Sequence, residues 1–316
     1  MAATLARRLP SGARARSPGT DGGGGRTRRE GLVHGLTFAG LAFAVFLFFV
    51  MAPRVQSVGY DAWAYWAVEP ADPYALRVGA LGSFTYTPAA VLVASNFKAL
   101  PWWQFLWMWE ALLVATIIWM GGRRSLLVVA FPFVALELYH GNIHLLLAAA
   151  MVLGFRHPWT WSFVLLTKAS CGVGLLWFVV RREWRPLGIA LGSTAVVAGL
   201  SAVLAPELWA DWIAFVLQSP GGTPGGPSVP VPLWIRLPLA AALVLWGART
   251  DRRWTVLVSA TIALPVLWLT GLSMLAGLAI ELSERARRTT DPGTPPVADA
   301  TIGGGSIPAA PTTPGG

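Results

Sequence analysis

Three clusters in the sequence hold residues that could do chemistry. Residues 59–76, GYDAWAYWAVEPADPYAL, gather Asp61, Glu69 and Asp72 with five aromatic rings, in a chain with only 15 Asp plus Glu. A carboxylate placed there can remove a proton from a hydroxyl, and indole faces such as Trp63 suit a sugar ring. The plain alternative is an interfacial helix held by an aromatic belt, with Asp61 solvated or capping. The second cluster, ELYHGNIH, puts Glu137, His140 and His144 at i, i+3 and i+7, one helical face if the helix continues. Two histidines and a carboxylate can hold zinc. Gly141 is expected to interrupt the helix, however, so Asn142 and the histidines read as polar contacts at a helix boundary, with no metal. The third is Lys168 in VLLTKASCGVG, flanked by apolar residues on both sides. A charge at membrane depth is costly and therefore a functional candidate. As a point charge it could stabilise a phosphate; otherwise it snorkels to an interface or pairs with Glu110 or Glu137.

The elements that must position these residues are membrane helices. Mean hydropathy is +0.57, and charged residues make up 12% of the chain against about 25% in soluble domains. Several apolar runs approach the ~17–25 residues of a bilayer span, and none alternates as barrel strands do. The fold class is therefore all-α, a polytopic transmembrane bundle. Spans are predicted near 32–52, 102–121, 124–139, 142–155, 159–180, 187–205, 232–248 and 254–282. The membrane domain covers 31–284, with a first extracytoplasmic loop at 53–85 and a Pro/Gly-rich outer loop at 206–231. That outer loop starts with an amphipathic Trp-bearing stretch suited to the membrane surface. Segments 1–30, Arg-rich and cytoplasmic, and 285–316 are predicted to be disordered.

The net charge of +9 does not indicate nucleic-acid binding, because the basic residues sit at chain ends and in short loops, where they act as topology signals. The clusters Arg181/Arg182/Arg185 and Arg249/Arg252/Arg253 should face the cytoplasm. A stretch at 86–100 is too short to span and is predicted to be re-entrant. Segment 159–180 must then enter and leave one face as two half-helices, with Lys168 near the middle. Segment 254–282 is either one long helix or a hairpin near Leu269–Gly271. Cys171 is the sole cysteine, which excludes an internal disulfide.

Taken in order, YDAWAYW, DPY, Tyr86-x-Pro88, Gly141-Asn142 opening an apolar helix, Thr167-Lys168 and RREWR resemble the GT-C membrane glycosyltransferases. The resemblance is closest to family 87, the polyprenyl-phosphate-mannose-dependent α-mannosyltransferases of actinobacteria, and covers roughly residues 35–215. It implies a GT-C bundle of about 8–10 membrane helices, some short or re-entrant, in the plasma membrane. It also implies transfer of a hexose from a polyprenyl-phosphate carrier to a glycolipid or glycan hydroxyl, on the extracytoplasmic side and with inversion. Asp61 matches the general base. Lys168 and Arg77 are the candidate phosphate cations. Tyr86, Asn142, His140, His144, Trp63, Tyr65 and Glu69 are candidates for substrate contact. No cofactor beyond the lipid-linked donor is implied; membrane lipids are partners and nucleic acid is not. The chain has G-N where the family usually has G-Q, and Ala-Ser rather than a nearby Pro after the lysine. Two other readings compete: a non-catalytic relative that binds lipid or a partner, and a transporter, which inverted repeats would support.

Overall fold

The computed structural model describes residues 23–218 and 228–280, with side chains from Glu30 onward. The predicted tail 285–316, most of the tail 1–30, and positions 219–227 of the outer loop lie outside the described residues. No strand occurs among the described residues. Helix α1 (Gly23–Phe46) runs through a π-helical turn (Leu47–Met51) into α2 (Ala52–Val55). It opens inside the segment predicted to lack structure, since extending an existing helix costs little. Leu36, Phe38 and Phe49 are exposed along it, as on a helix that faces lipid. Gly40 lets it close on the main chain: a Cβ there would collide with the Ala130 carbonyl.

After α2, Gln56 and Gly59 adopt left-handed conformations and turn the chain into α3 (Tyr60–Ala67). A loop then leads to α4 (Pro88–Ala94) and a 3-10 turn (Ser95–Ala99). Together these cover only 88–99, well short of the ~20 residues of a span. Helix α5 (Trp102–Gly121) is interrupted at Gly122, whose φ of 51° and ψ of −125° are not helical, before α6 (Ser125–Val129). The predicted helix 124–139 is therefore two pieces, α6 and α7 (Pro132–His140). The cause is Pro132, which lacks an N–H and pushes Phe131 out of the helical region, to ψ 113°.

Three helical breaks point at one place. Helix α7 meets α8 (His144–Leu153) at a bend of 113°, with Gly141 left-handed at φ 65°. Helix α9 (Trp161–Thr167) stops at Lys168, φ −138° and ψ 82°, before a 3-10 stretch (Ala169–Leu175) and α10 (Leu176–Val180). The chain doubles back there, because the Trp161 ring lies 6.4 Å from that of Phe178 and presses on Gly174. The long helix α11 (Trp184–Leu204) follows, then α12 (Pro206–Gln218), α13 (Leu233–Arg249) and α14 (Trp254–Ile262). Over its described part, 254–280, the segment predicted at 254–282 is a hairpin and not one long helix: the 3-10 element Leu269–Gly277 returns along α14, with Leu257 opposite Gly277. Half of the predicted outer loop is α12, which docks on protein: Phe215 stacks on Tyr74 at 5.4 Å and Trp212 Nε1 donates to the Thr85 carbonyl.

Among the described residues three helical runs are long and apolar enough to cross a membrane by themselves: Glu30–Val55, Trp102–Val129 and Trp184–Leu204. The bent pair α7/α8 would make a fourth. The other apolar helices are short or broken, so the count of full spans is smaller than the number of apolar segments.

The last break is held by Arg236, which is only 5% exposed. Its guanidinium donates to the carbonyls of Val231, Ile262, Leu264 and Pro265 at 2.5–3.0 Å, closing the end of α14 on the start of α13. Leaving several buried carbonyls unpaired costs about 1–3 kcal/mol each. Arg236→Met is therefore expected to lower the temperature of unfolding or aggregation in detergent by several degrees, and Arg249→Met, at the exposed end of α13, to leave it unchanged.

Candidate active site

The three breaks, the first-loop helix and the loop at 78–85 line a cavity of about 500 Å³, within the ~300–1,000 Å³ usual for small-ligand sites. Asp61, Tyr86, His140, Asn142, His144 and Lys168 line it, with Tyr60 and the 268–270 turn. Residues separated by 81 positions in sequence thus meet in one chamber.

The register of α3 decides which of its residues reach the cavity. Tyr60, Asp61 and Ala64 face it, as i, i+1 and i+4 share one side of a helix. Trp63 and Trp66 fall on the other side and pack on Trp102, at 4.9 and 5.6 Å. Trp63 is therefore part of an aromatic anchor and does not line the chamber. Glu69 is exposed and pairs with Lys98 at 2.6 Å. Arg77 is exposed in the loop and is not among the lining residues. Trp63, Tyr65, Glu69 and Arg77, which the resemblance offers for substrate contact, thus stand outside the lining of this cavity.

Asn142 is the hub of the polar wall. Its Oδ1 accepts from the Ile143 N–H at 2.7 Å and from the Tyr65 hydroxyl at 3.3 Å. The amide orientation follows, and Nδ2 must donate to Asp61 Oδ2, at 2.6 Å. Since the Tyr65 proton goes to Asn142, Tyr86 donates to the Tyr65 oxygen, 3.1 Å away. The Lys168 ammonium lies 5.3 Å from the centre of the Tyr86 ring, a cation–π contact. Tyr65 itself is buried behind the wall. A single chain of contacts thus runs from Asp61 through Asn142, Tyr65 and Tyr86 to Lys168.

Asp61 lies outside the membrane-spanning runs. Burial pushes its carboxyl above the usual carboxylate range; His140 and the Asn142 hydrogen bond pull it down, and Glu137 pushes it up. Burial also raises the Tyr65 phenol, which stays protonated and able to donate.

The bend at Gly141 reorders the second cluster. Glu137 and His144 do not share a helical face, yet the turn brings Glu137 Oε2 to 3.1 Å from His144 Nδ1. Glu137 Oε1 accepts the Leu145 N–H at 3.1 Å, capping α8 with a carboxylate at its positive end. His140 instead turns Nδ1 onto the Leu136 carbonyl at 2.9 Å. Lys168 stands over Tyr86 and makes no ion pair with Glu137. A Cβ on Gly141 would meet Ala62 at 2.7 Å, so glycine is required both by φ and by the closeness of α3.

Sequence reasoning allowed a hairpin near Leu269–Gly271 but put no site residue there, and it missed Arg236, which holds the hairpin. The arginine stands in an apolar run, LWIRLPLA, where a buried charge is the signal that could have marked it.

Chemically, the chamber offers a carboxylate with a fixed hydrogen-bond donor, a cation across an aromatic wall, and two imidazoles. That set can deprotonate a hydroxyl at one end and stabilise an anion at the other. Among curated proteins and among solved structures no match was found. Residues 84–294, two thirds of the chain, match glycosyltransferase family 87. The match begins after Asp61, so the tie between that carboxylate and the matched region rests on the geometry above. It takes in Tyr86, His140, Asn142, His144 and Lys168, and the chain belongs to glycosyltransferase family 87.

Proposed function

We propose that this membrane glycosyltransferase moves a hexose, mannose by its resemblance, from a polyprenyl-phosphate carrier to a hydroxyl of a glycolipid or glycan, with inversion. The observation that carries the reading is the shared cavity of Asp61 and Lys168. In this mechanism Asp61 takes the proton of the acceptor hydroxyl while its oxygen forms a bond to the anomeric carbon. The bond from that carbon to the phosphate oxygen breaks, and its electron pair leaves with the phosphate. A positioned base supplies roughly 10²–10⁴-fold. The departing phosphate is a stable anion that needs cations more than a proton, and Lys168 stands on that side.

Charge placement supports an extracytoplasmic site. The hairpins that carry Lys168 and the 268–270 turn at the cavity end carry Arg181, Arg182, Arg252 and Arg253 at the other. There Arg181 pairs with Glu183 and Asp251. With that arginine-rich end inside, the cavity opens outward.

The test is transfer of labelled sugar from polyprenyl-phosphate-mannose to membrane glycolipids, wild type against Asp61→Asn at equal insertion. Transfer should fall at least about 10²-fold in the variant; equal transfer by both removes Asp61 from the mechanism. No transfer by either, over several acceptors, favours the non-catalytic reading. In the same assay Lys168→Gln should lose at least about tenfold, whereas Arg77→Gln stays within about twofold.

The pH profile follows from Asp61. As a base it works ionised, and burial holds its carboxyl above the usual carboxylate range, so activity should rise with pH along a limb displaced upward from that range. Asn142→Ala removes an interaction that lowers the carboxyl, so the limb should move to higher pH. A limb that stays put or moves toward acid would contradict the pairing.

A further inference from the structure

The wall between Asp61 and the 268–270 turn contains a group for which the mechanism above has no use. Glu137 is fully buried and His144 is 1% exposed, although His144 lines the cavity. Glu137 is an acceptor, so Nδ1 of His144 carries its proton toward it, and any further proton is taken up or released at Nε2. Nε2 has no hydrogen-bond partner although it is buried. An orphaned buried polar atom of this kind needs an explanation. Across from it stands Gly271, where an added Cβ would lie 3.7 Å from Nε2. A larger residue there would press on the ring, whereas with glycine the ring keeps its place beside the cavity that His144 lines, where a phosphate oxygen would supply the partner that Nε2 lacks.

Charge points the same way. Among the described side chains lining the cavity, Lys168 is the one with a fixed positive charge, and Asp61 and the adjoining Glu137 are acids. A phosphate placed there with Lys168 alone would meet two carboxylates with one cation. A proton on His144 Nε2 supplies the second, and Glu137 holds the ring in the orientation needed to present it.

Resting on the glycosyltransferase reading above, we propose that the Glu137–His144 pair is the second half of the phosphate site, opposite Lys168, with Nε2–H donating to a phosphate oxygen. On transfer the phosphodiester becomes a monoester that can carry one more negative charge, so the protonated ring is favoured most in the product complex. Binding of the product should therefore depend on pH through His144. The other titratable groups facing it are Glu137 and His140 on α7, Asp61 on α3, Lys168 at the α9 turn and Glu110 on α5. The element Leu269–Gly277 contributes none, nor does the rest of α8.

The experiment measures binding of a short-chain polyprenyl monophosphate, without sugar, to the full-length protein in detergent from pH 5.5 to 8.5. Wild type should bind more tightly toward acid, after correction for ionisation of the free probe. His144→Gln, which keeps a hydrogen-bonding amide but cannot be charged, should bind at least about tenfold more weakly at low pH and lose that pH dependence. If His144→Gln does not fold, the ³¹P resonance of the probe on wild type decides. Its ionisation step should differ from that of probe bound to Glu137→Gln, where the imidazole has lost its anionic partner; an identical step overturns the proposal. Wild-type-like binding and pH dependence in His144→Gln also overturns it while leaving the transfer reading intact. Absence of binding to wild type overturns both.

Discussion

A helix that breaks at membrane depth strands backbone groups where no water can reach them, and this constraint organises the protein around its cavity. Each break is repaired by a named group. The Gly141 carbonyl accepts from Trp109 Nε1 at 2.7 Å, and the Ile143 and Leu145 N–H groups are taken by Asn142 and Glu137. At the Lys168 turn the Leu166 carbonyl accepts both the N–H and the hydroxyl of Thr87. At the third turn Arg236 takes three carbonyls and the Val229 N–H takes a fourth, that of Leu267.

The repairs and the chemistry share residues. Asn142 satisfies the backbone with one end of its amide and holds Asp61 with the other. Glu137 caps α8 with one oxygen and orients His144 with the other. This double use lets polar side chains face a cavity inside an apolar bundle, since each is fixed before any substrate arrives and little reorganisation remains to be done. It also explains why the site is assembled from helix ends and turns and not from the long spans. Those spans expose most of their apolar side chains, as lipid-facing elements should.

Much of the architecture was legible in the sequence, because apolar run length and arginine placement are direct consequences of the bilayer. The break at Gly141, the turn at Lys168 and the short 86–100 segment were readable from a glycine, a mid-run lysine and a residue count. Pro132 also stood in plain view, but its break was absorbed into an apolar stretch that looked continuous. The site was legible only by residue type. Asp61, Asn142 and Lys168 are unusual for their surroundings, but sequence does not say which face of α3 meets the cavity. Trp63, Glu69 and Arg77 were therefore grouped with Asp61 by residue type and by closeness in sequence. The Glu137–His144 pair depends on a 113° bend that brings together residues which a straight helix would separate by two turns. Arg236 and the 268–270 turn depend on a hairpin that charge bias suggested but apolar composition alone did not require.

The central claim is that one chamber holds both ends of the transfer. The most direct measurement is an experimental structure of the protein with a phosphonate analogue of the polyprenyl-phosphate sugar. The account predicts density for the phosphonate between Lys168 and His144, with the anomeric carbon turned toward the space beside Asp61 and the isoprenoid leaving the chamber sideways into lipid. A phosphonate seated elsewhere, or a sugar ring that places the anomeric carbon beyond the reach of an acceptor held by Asp61, would contradict it.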